Sequence, residues 1–416
     1  MIKRFLVSIF LLFSVISFAQ QGTSSPYSLF GVGDVRFRGS NEIISMGGVS
    51  VFPDSIHLNV QNPASYSHLK LTTFTLGGSL NAVKFKTNES SESANRSRMD
   101  YLGFGVPIGK KFGASFGLNP FSSSGYKIRT IDTENAIIRQ YQANGGLNQV
   151  YLGLGYNVLK NLSVGANVNY NFGRLETDNI LYIADAQFAT QELNESQLSG
   201  VTFNLGVMYN TKINEKVNLY SAFSYIPKSD LNSDEARRLL SIIYVGEGVP
   251  TVVDSLNFSY TDRKIKLPSK TTFSLGIGEN KKWLLGGEVA LTGSNEFSSS
   301  LTNATNASYE DAIRYSVGGY YIPKYNSFNS YFERITYRGG FRYENTGLVI
   351  KNTAINDYAI TAGAGLPING SFSNVNVGLE LGRRGTTTGN LIQENYFNLM
   401  ISMSFSDLWF VQRKYD

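Results

Sequence analysis

The feature that most restricts this chain is a period of two. In NLSVGANVNYNFG, residues 161–173, Leu162, Val164, Ala166, Val168, Tyr170 and Phe172 share one parity. Ser163, Gly165, Asn167, Asn169, Asn171 and Gly173 share the other. Successive side chains of a strand point to opposite faces, so such a segment has one apolar face and one amide-lined face. The pattern recurs. Val201, Phe203, Leu205, Val207 and Tyr209 oppose Thr202, Asn204, Gly206, Met208 and Asn210. Val375, Val377, Leu379 and Leu381 oppose Asn374, Asn376, Gly378 and Glu380, and Phe397, Leu399, Ile401, Met403 and Phe405 oppose Asn398, Met400, Ser402 and Ser404. Repeated alternating runs of about ten residues separated by turn residues are the signature of a membrane β-barrel. The apolar parity then meets lipid and the polar parity lines the interior.

The spacing predicts an all-β, antiparallel transmembrane barrel of about fourteen strands, near 71–86, 98–106, 111–120, 147–158, 161–174, 198–210, 216–226, 270–279, 282–292, 313–322, 334–344, 357–366, 374–383 and 394–405. Connections alternate in length: PIGKK, LKN, NTKINEK, ENKK and PINGSFS are short, whereas 87–97, 121–146, 175–197, 227–269 and 293–312 are long. Short periplasmic turns opposite long outer loops are barrel topology; a soluble β-sandwich has one wet face but needs no such alternation. Residues 227–269 read either as a loop, with LLSIIYVG and LNFSY forming an extended hairpin, or as two further strands. Pro107, Pro227, Pro268, Pro323 and Pro367 all fall at expected strand ends, where a missing N–H does no harm.

The first nineteen residues read as a secretory signal peptide: Lys3 and Arg4, an apolar run from Phe5 to about Phe18, and Ser17-Phe18-Ala19 as the cleavage site. The expected compartment is the bacterial outer membrane. There is no Cys, which removes a disulfide framework, thiolate metal sites and a lipoprotein anchor. Without Lys3 and Arg4 the formal charge falls from +5 to +3, no footprint for nucleic acid. His57 and His68 are the two histidines; they support neither a Ser–His–Asp arrangement nor a metal site. GVGD and SMGG lack the strand–helix context of a phosphate loop. No enzyme, cofactor or metal is expected.

Residues 20–70 break the pattern, with little alternation and many Gly and turn residues. A barrel interior is the place for such a segment, as a plug. SMGG at 45–48 and the NPAS of Asn62 to Ser65 resemble the FadL-like family of outer-membrane transporters for long-chain fatty acids and other hydrophobic compounds. The resemblance implies a fourteen-stranded barrel closed by an N-terminal hatch, with a hatch motif at Asn62, Pro63 and Ala64. The opening SPYSLFGVGD and closing DLWFVQRKYD fit a diverged envelope branch, whose members are often associated with other outer-membrane machinery. Independently of any family, Pro63 fixes its own φ and biases Asn62 to an extended shape, so a plain turn into the first strand explains the tripeptide equally well.

Strand parity points Glu288, Arg314, Arg338, Arg342, Glu344 and Glu380 inward on one wall. They form either a carboxylate-binding constriction or ion pairs that brace plug against wall, the second being favoured. Asn119-Pro120 ends the third expected strand; the resemblance implies a lateral opening towards lipid there, and simple strand termination is the alternative. The inward faces of the fifth, sixth and eighth strands are rich in Asn, Ser, Thr and Gly, unlike a lipid site. Inward Tyr101, Tyr151, Met208, Tyr220, Tyr320 and Tyr396 are candidates for an amphipathic pocket. Residues 406–416 form a periplasmic tail in which Trp409 and Phe410 either fold back at the interface or meet a partner. The leading reading is gated uptake of a small hydrophobic compound. The alternative is a non-transporting barrel subunit of an outer-membrane assembly or secretion complex, with other envelope proteins as partners. Lipid is the surrounding partner in both.

Overall fold

The computed structural model describes residues 22–35, 38–244, 250–294 and 307–409. The expected signal peptide and residues 410–416 of the tail, Phe410 among them, lie outside the described residues. The chain closes a barrel of fourteen antiparallel strands. These are β1 (Thr72–Lys86), β2 (Ser91–Ile108), β3 (Phe112–Asp132), β4 (Ile137–Asn157), β5 (Leu162–Ile183) and β6 (Ala189–Lys212). Next come β7 (Val217–Ile226, continued by Ser229–Ile243) and β8 (Thr251–Leu267, continued by Lys270–Glu279). The circuit ends with β9 (Trp283–Thr292), β10 (Ala312–Tyr321), β11 (Thr336–Ile350), β12 (Thr353–Pro367), β13 (Asn374–Arg384) and β14 (Gln393–Asp407). The ring shuts where β14 pairs with β1, in unbroken register from Gln393–Lys86 to Asp407–Thr72. Closure pairs the first strand with the last, so the sheet has no free end strand in the hydrocarbon, where an unpaired backbone group would find no water.

The period-two face assignment holds in the wall. On β5, Val168 and Tyr170 are 49 % and 50 % exposed, while Asn167 and Asn169 are 1 % and 4 % exposed. Strand length is where the expectation falls short. About 9–11 tilted residues cross a bilayer, and β9 and β10 are of that size. Strands β3 to β6 run 21 to 24 residues, because the expected outer loops 121–146 and 175–197 are mostly strand. Above the bilayer the outer face meets water instead of lipid, so the hydrophobic alternation that marks a strand weakens although the hydrogen-bonded ladder continues and Leu198 and Leu231 stay buried on the inner side.

Residues 227–269 follow the same rule. They add no strand to the ring; they lengthen β7 and β8 as one hairpin, paired from Ser229–Leu267 to Ile243–Thr251. Pro227 and Pro268 interrupt the two strands at one level, between this hairpin and the lower ladder that pairs Ile226 with Lys270. Pro120 also corrects an expectation, since it does not end β3. The β2–β3 ladder stops at Leu102–Leu118, and from there β3 continues to Asp132 paired with β4. Proline's missing N–H thus falls on an edge with no ladder to lose. A bulge follows at Phe121, and the N-terminal residues Asp34 and Val35 pair with Ser123 and Ser122 on that edge.

Candidate functional site in the barrel lumen

The inward parity of the wall carries glycine where the N-terminal segment passes. Residues Pro63–His68 form a 3-10 turn lying on β3, β4, β5 and β6. A Cβ on Gly113 would stand 1.8 Å from the Tyr66 carbonyl oxygen, and one on Gly165 would stand 2.4 Å from the Pro63 carbonyl carbon. The opposite wall repeats the device: a Cβ on Gly318 would lie 2.1 Å from the Met46 carbonyl oxygen, and one on Gly340 would lie 2.3 Å from the Gly47 nitrogen. Backbone therefore meets backbone on two sides, and only residues without side chains leave room for that approach.

Hydrogen bonds fix the register of this contact. Asn62 accepts from the Ala64 N–H through Oδ1 (3.1 Å), and its Nδ2 donates to the carbonyls of Val207 and Phe223, both at 3.2 Å. It thereby caps the turn that Pro63 begins and ties it to β6 and β7. Pro63 and Ala64 are buried within that contact. At the other wall Thr361 Oγ1 accepts from Gly47 N at 2.9 Å and donates to the Ser45 carbonyl at 3.1 Å. Ser67 and His68 reach Asn157 and Ser163 at the lower ends of β4 and β5.

The inward charges divide into two groups. In the first, buried Arg342 donates to Asp357 (3.1 Å), Glu344 (3.1 Å), Glu380 (2.8 Å) and the Tyr396 hydroxyl (2.9 Å). Tyr396 in turn donates to Asp357 at 2.7 Å, and Arg38 of the N-terminal segment donates to the same carboxylate at 3.2 Å. In the second, Glu288 accepts from Arg314 (2.7 Å), Ser274 (2.8 Å), and the amide and hydroxyl of Ser50 (3.0 and 2.6 Å). Arg338 stands apart and donates to Asn376 Oδ1 at 3.1 Å. The six charges expected on one wall are thus inward, but Asp357 and the residues Arg38 and Ser50 that join them were missed. Arg38 and Ser50 lay in a stretch with no periodicity to assign a face.

Lower in the segment, the Asp54 carboxylate lies 2.7 Å from His57 Nδ1. Burial opposes both charges, yet the pairing prevails: Asp54 is held at about 2 and His57 is raised. His68 moves the other way, to about 4, because burial and then Lys70 disfavour its charged form.

Among the cavities inside the barrel, two are lined by the expected site residues. The larger, of about 290 Å³, is lined by amides of β3, β5 and β6 on one side and by Lys270, Glu288, Arg314 and Glu344 on the other. The smaller, of about 70 Å³, lies behind the unpaired β2–β3 edge and touches Pro120, Arg98, Asp100, Arg38, Asp357 and Glu380. Asn119, fully buried, lines the larger cavity and Pro120 the smaller. The six inward Tyr and Met residues do not gather into one pocket. Tyr220 and Tyr320 pack edge-on against Phe52, both with centroids 5.4 Å apart, whereas Tyr101 accepts from Asn41 N.

A closed ring of fourteen strands around an inward-docked N-terminal segment is the fold of FadL-like outer-membrane β-barrels. Two solved structures share this fold. One is the Pseudomonas putida toluene transporter TodX, with TM-score 0.61 and 16 % identity over 90 % of this chain and 99 % of that one. The other is a Pseudomonas aeruginosa FadL homologue, with TM-score 0.58 and 13 % identity over 90 % and 98 %. The chain itself belongs to the BamG family, whose profile matches residues 1–416. No curated protein matches it in sequence. Its place is the bacterial outer membrane.

Proposed function

We propose that this barrel is a non-transporting subunit of an outer-membrane assembly, docking another envelope protein through the β7–β8 hairpin, with residues 22–70 as a fixed plug. The observation that carries the reading is the hairpin. Lys270–Glu279 alone is long enough to cross the bilayer, so Thr251–Leu267 stands beyond it. That extension is exposed along almost its whole length, including Val252, Val253, Leu256, Phe258 and Tyr260. Its register partner among the described residues is Ser229–Ile243 on one side. Apolar side chains on a projecting strand outside the lipid form a surface that a partner's strand or loop would cover. The plug supports the same reading, since its seats combine backbone contacts, buried ion pairs and apolar clusters such as Val32 against Leu147, Leu198 and Leu231, a packing suited to a fixed element.

The second reading is gated uptake of a small hydrophobic compound. Its support is the shared fold and the unpaired β2–β3 edge at Asn119 and Pro120, placed as a lateral opening would be. The cavity behind that edge is lined by Arg98, Asp100, Asp357 and Glu380, a costly surface for an apolar solute.

Photo-crosslinkers at Val252 and Phe258 in native membranes separate the two. One stoichiometric envelope partner, lost on Leu256→Asp, is the expected result. Absence of any crosslink, together with toluene flux into vesicles that depends on the barrel, would overturn it.

A further inference from the structure

We propose that the periplasmic rim of the barrel is a binding surface for anionic phospholipid headgroups of the surrounding leaflet. This goes beyond the docking role and does not depend on it.

The rim is where the charges of the chain fail to balance. Lys70 precedes β1, Lys110 and Lys111 lie in the β2–β3 turn, Lys160 lies in the β4–β5 turn, and Lys212 and Lys216 bracket the β6–β7 turn. The ring continues with Lys281 and Lys282 between β8 and β9, and with Lys324 and Arg334 between β10 and β11. Against these ten cations the same turns and strand ends carry Glu215, Glu279, Glu333 and Asp407. The surplus of six at this rim exceeds that of the whole chain, +5. All nine lysines are exposed. Among the described residues, only Lys282 of this ring has an ion-pair partner, Glu279 at 3.1 Å. The outer end is built differently: there Arg174 pairs with Glu176 and Glu195, Arg237 with Glu192, and Arg263 with Glu235. Like charges gathered without partners repel one another, so an anionic surface that covers them is favoured.

Three features make that surface a lipid leaflet. The cations occupy five of the six periplasmic turns, all but β12–β13, and so encircle the barrel, whereas a protein partner would mark one sector. Their depth is that of the headgroups. Tyr321 and Tyr337, 52 % and 41 % exposed, and Trp283 paired with Tyr321 stand at the ends of β10, β11 and β9. That is the level at which aromatic girdles meet the membrane interface, and the lysines of these turns follow within a few residues. The Tyr337 hydroxyl donates to the Phe332 carbonyl at 3.2 Å, which holds the long β10–β11 turn against the girdle. Finally, the cationic turns also expose Ile108, Leu159, Ile213, Tyr325 and Phe328, and the Lys281 ammonium sits 4.3 Å from the centre of the Tyr325 ring. A lysine that lays its stem on apolar surface and lifts its charge to a phosphate matches a headgroup layer.

Both tryptophans of the chain, Trp283 and Trp409, lie at this rim, the second with its ring 5.5 Å from that of Phe104. Intrinsic fluorescence therefore reports on the rim alone, whichever way the barrel inserts. The test is quenching of that fluorescence in vesicles of phosphatidylglycerol and phosphatidylcholine in equal amounts, one or the other brominated in its acyl chains. Phosphatidylglycerol should be enriched about threefold or more beside the tryptophans at low ionic strength. The enrichment should fall towards one in about 0.5 M sodium chloride. Lys281→Gln with Lys282→Gln, in a Trp409→Phe background that leaves Trp283 as sole reporter, should lower it too. Lys264→Gln with Lys266→Gln, on the outer hairpin, should leave it unchanged. Equal quenching by the two brominated lipids in the unaltered protein, which would leave the ring to an acidic periplasmic protein, overturns the proposal. So does an enrichment that salt does not reduce, or one that persists in the folded Lys281 and Lys282 variant. The salt series on the unaltered protein decides the matter even where that variant fails to fold. The crosslinking at Val252 and Phe258 reads out separately, at the other end of the barrel.

Discussion

The two ends of the lumen are built on opposite principles. At the periplasmic end, backbone of the N-terminal segment presses directly onto the glycines of β3, β5 and β10, with no side chain between. Midway up, β3 and β5 carry asparagines, Asn119, Asn167 and Asn169, that line a cavity. Two residues along the parity, from Gly165 to Asn167 to Asn169, convert a sealed contact into an open polar chamber. One wall can therefore hold a plug and a pocket at once, the difference set by a few side-chain volumes.

The sharpest way to break that contrast is to put a side chain into the sealed end. Gly113→Val and Gly165→Val should unseat the segment completely, since each added Cβ overlaps main-chain atoms. Trypsin would then cut after Arg38, a cleavage readable by mass spectrometry. Gly287→Ala is the control: its Cβ meets only ordinary contact, at 3.7 Å from the Ser316 carbonyl oxygen, and protection should persist. Next in size is Arg342→Met, which leaves the carboxylates of Asp357 and Glu380 buried without their guanidinium. A loss of about 3–5 kcal/mol is expected in urea unfolding, and a second substitution, Asp357→Asn, should recover part of it.

Asn62→Ala sharpens the comparison at the turn itself. It removes the cap on Ala64 and strands the carbonyls of Val207 and Phe223, for about 2–3 kcal/mol by the same measurement. The smallest effect is that of pH on the Asp54–His57 pair. His57 is raised above its ordinary value of 6.5, so its contribution is complete below that pH and fades as pH climbs through the raised folded value. Asp54 is lowered, so its contribution is complete above the ordinary carboxylate value and is lost as pH falls towards about 2. His57→Gln should flatten the alkaline slope of stability. An unchanged slope would show that the pair does not couple to folding.

How far the sequence could be read depended on water. Within the bilayer one face meets lipid and the other the lumen, so Leu-Val-Ala-Val-Tyr-Phe against Ser-Gly-Asn on β5 gave both strand and face. Above it, Leu175 to Ile183 continue β5 with polar and apolar residues on either side, and no alternation survives to mark a strand. Parity also put Glu288, Arg314 and Arg342 inward, because a charge facing lipid would be prohibitive. Their partners Arg38 and Ser50 lie where the backbone has no repeating geometry, and nothing in residue type could say which wall they meet. The glycine seats were visible as letters: Gly113, Gly155, Gly165 and Gly206 all share the inward parity of neighbouring strands. Only the approach of the 3-10 turn explains why the side chains are missing there. Pro120 misled for a related reason, since a proline tells of a missing donor but not of whether a neighbour wanted it.

The seam where the ring closes has one more property. Thr73 and Ser406, facing each other across β1 and β14, hydrogen-bond to one another at 3.0 Å, and Thr73 also donates to the Ile56 carbonyl at 3.2 Å. The first and last strands therefore share a clasp with the segment they enclose. The earliest residues exported find their seats on strands that emerge throughout the rest of translocation, up to the final one. Biogenesis inherits a timetable from this arrangement: the filling cannot settle until the container is nearly whole, and the latch that shuts the container is partly made of its contents.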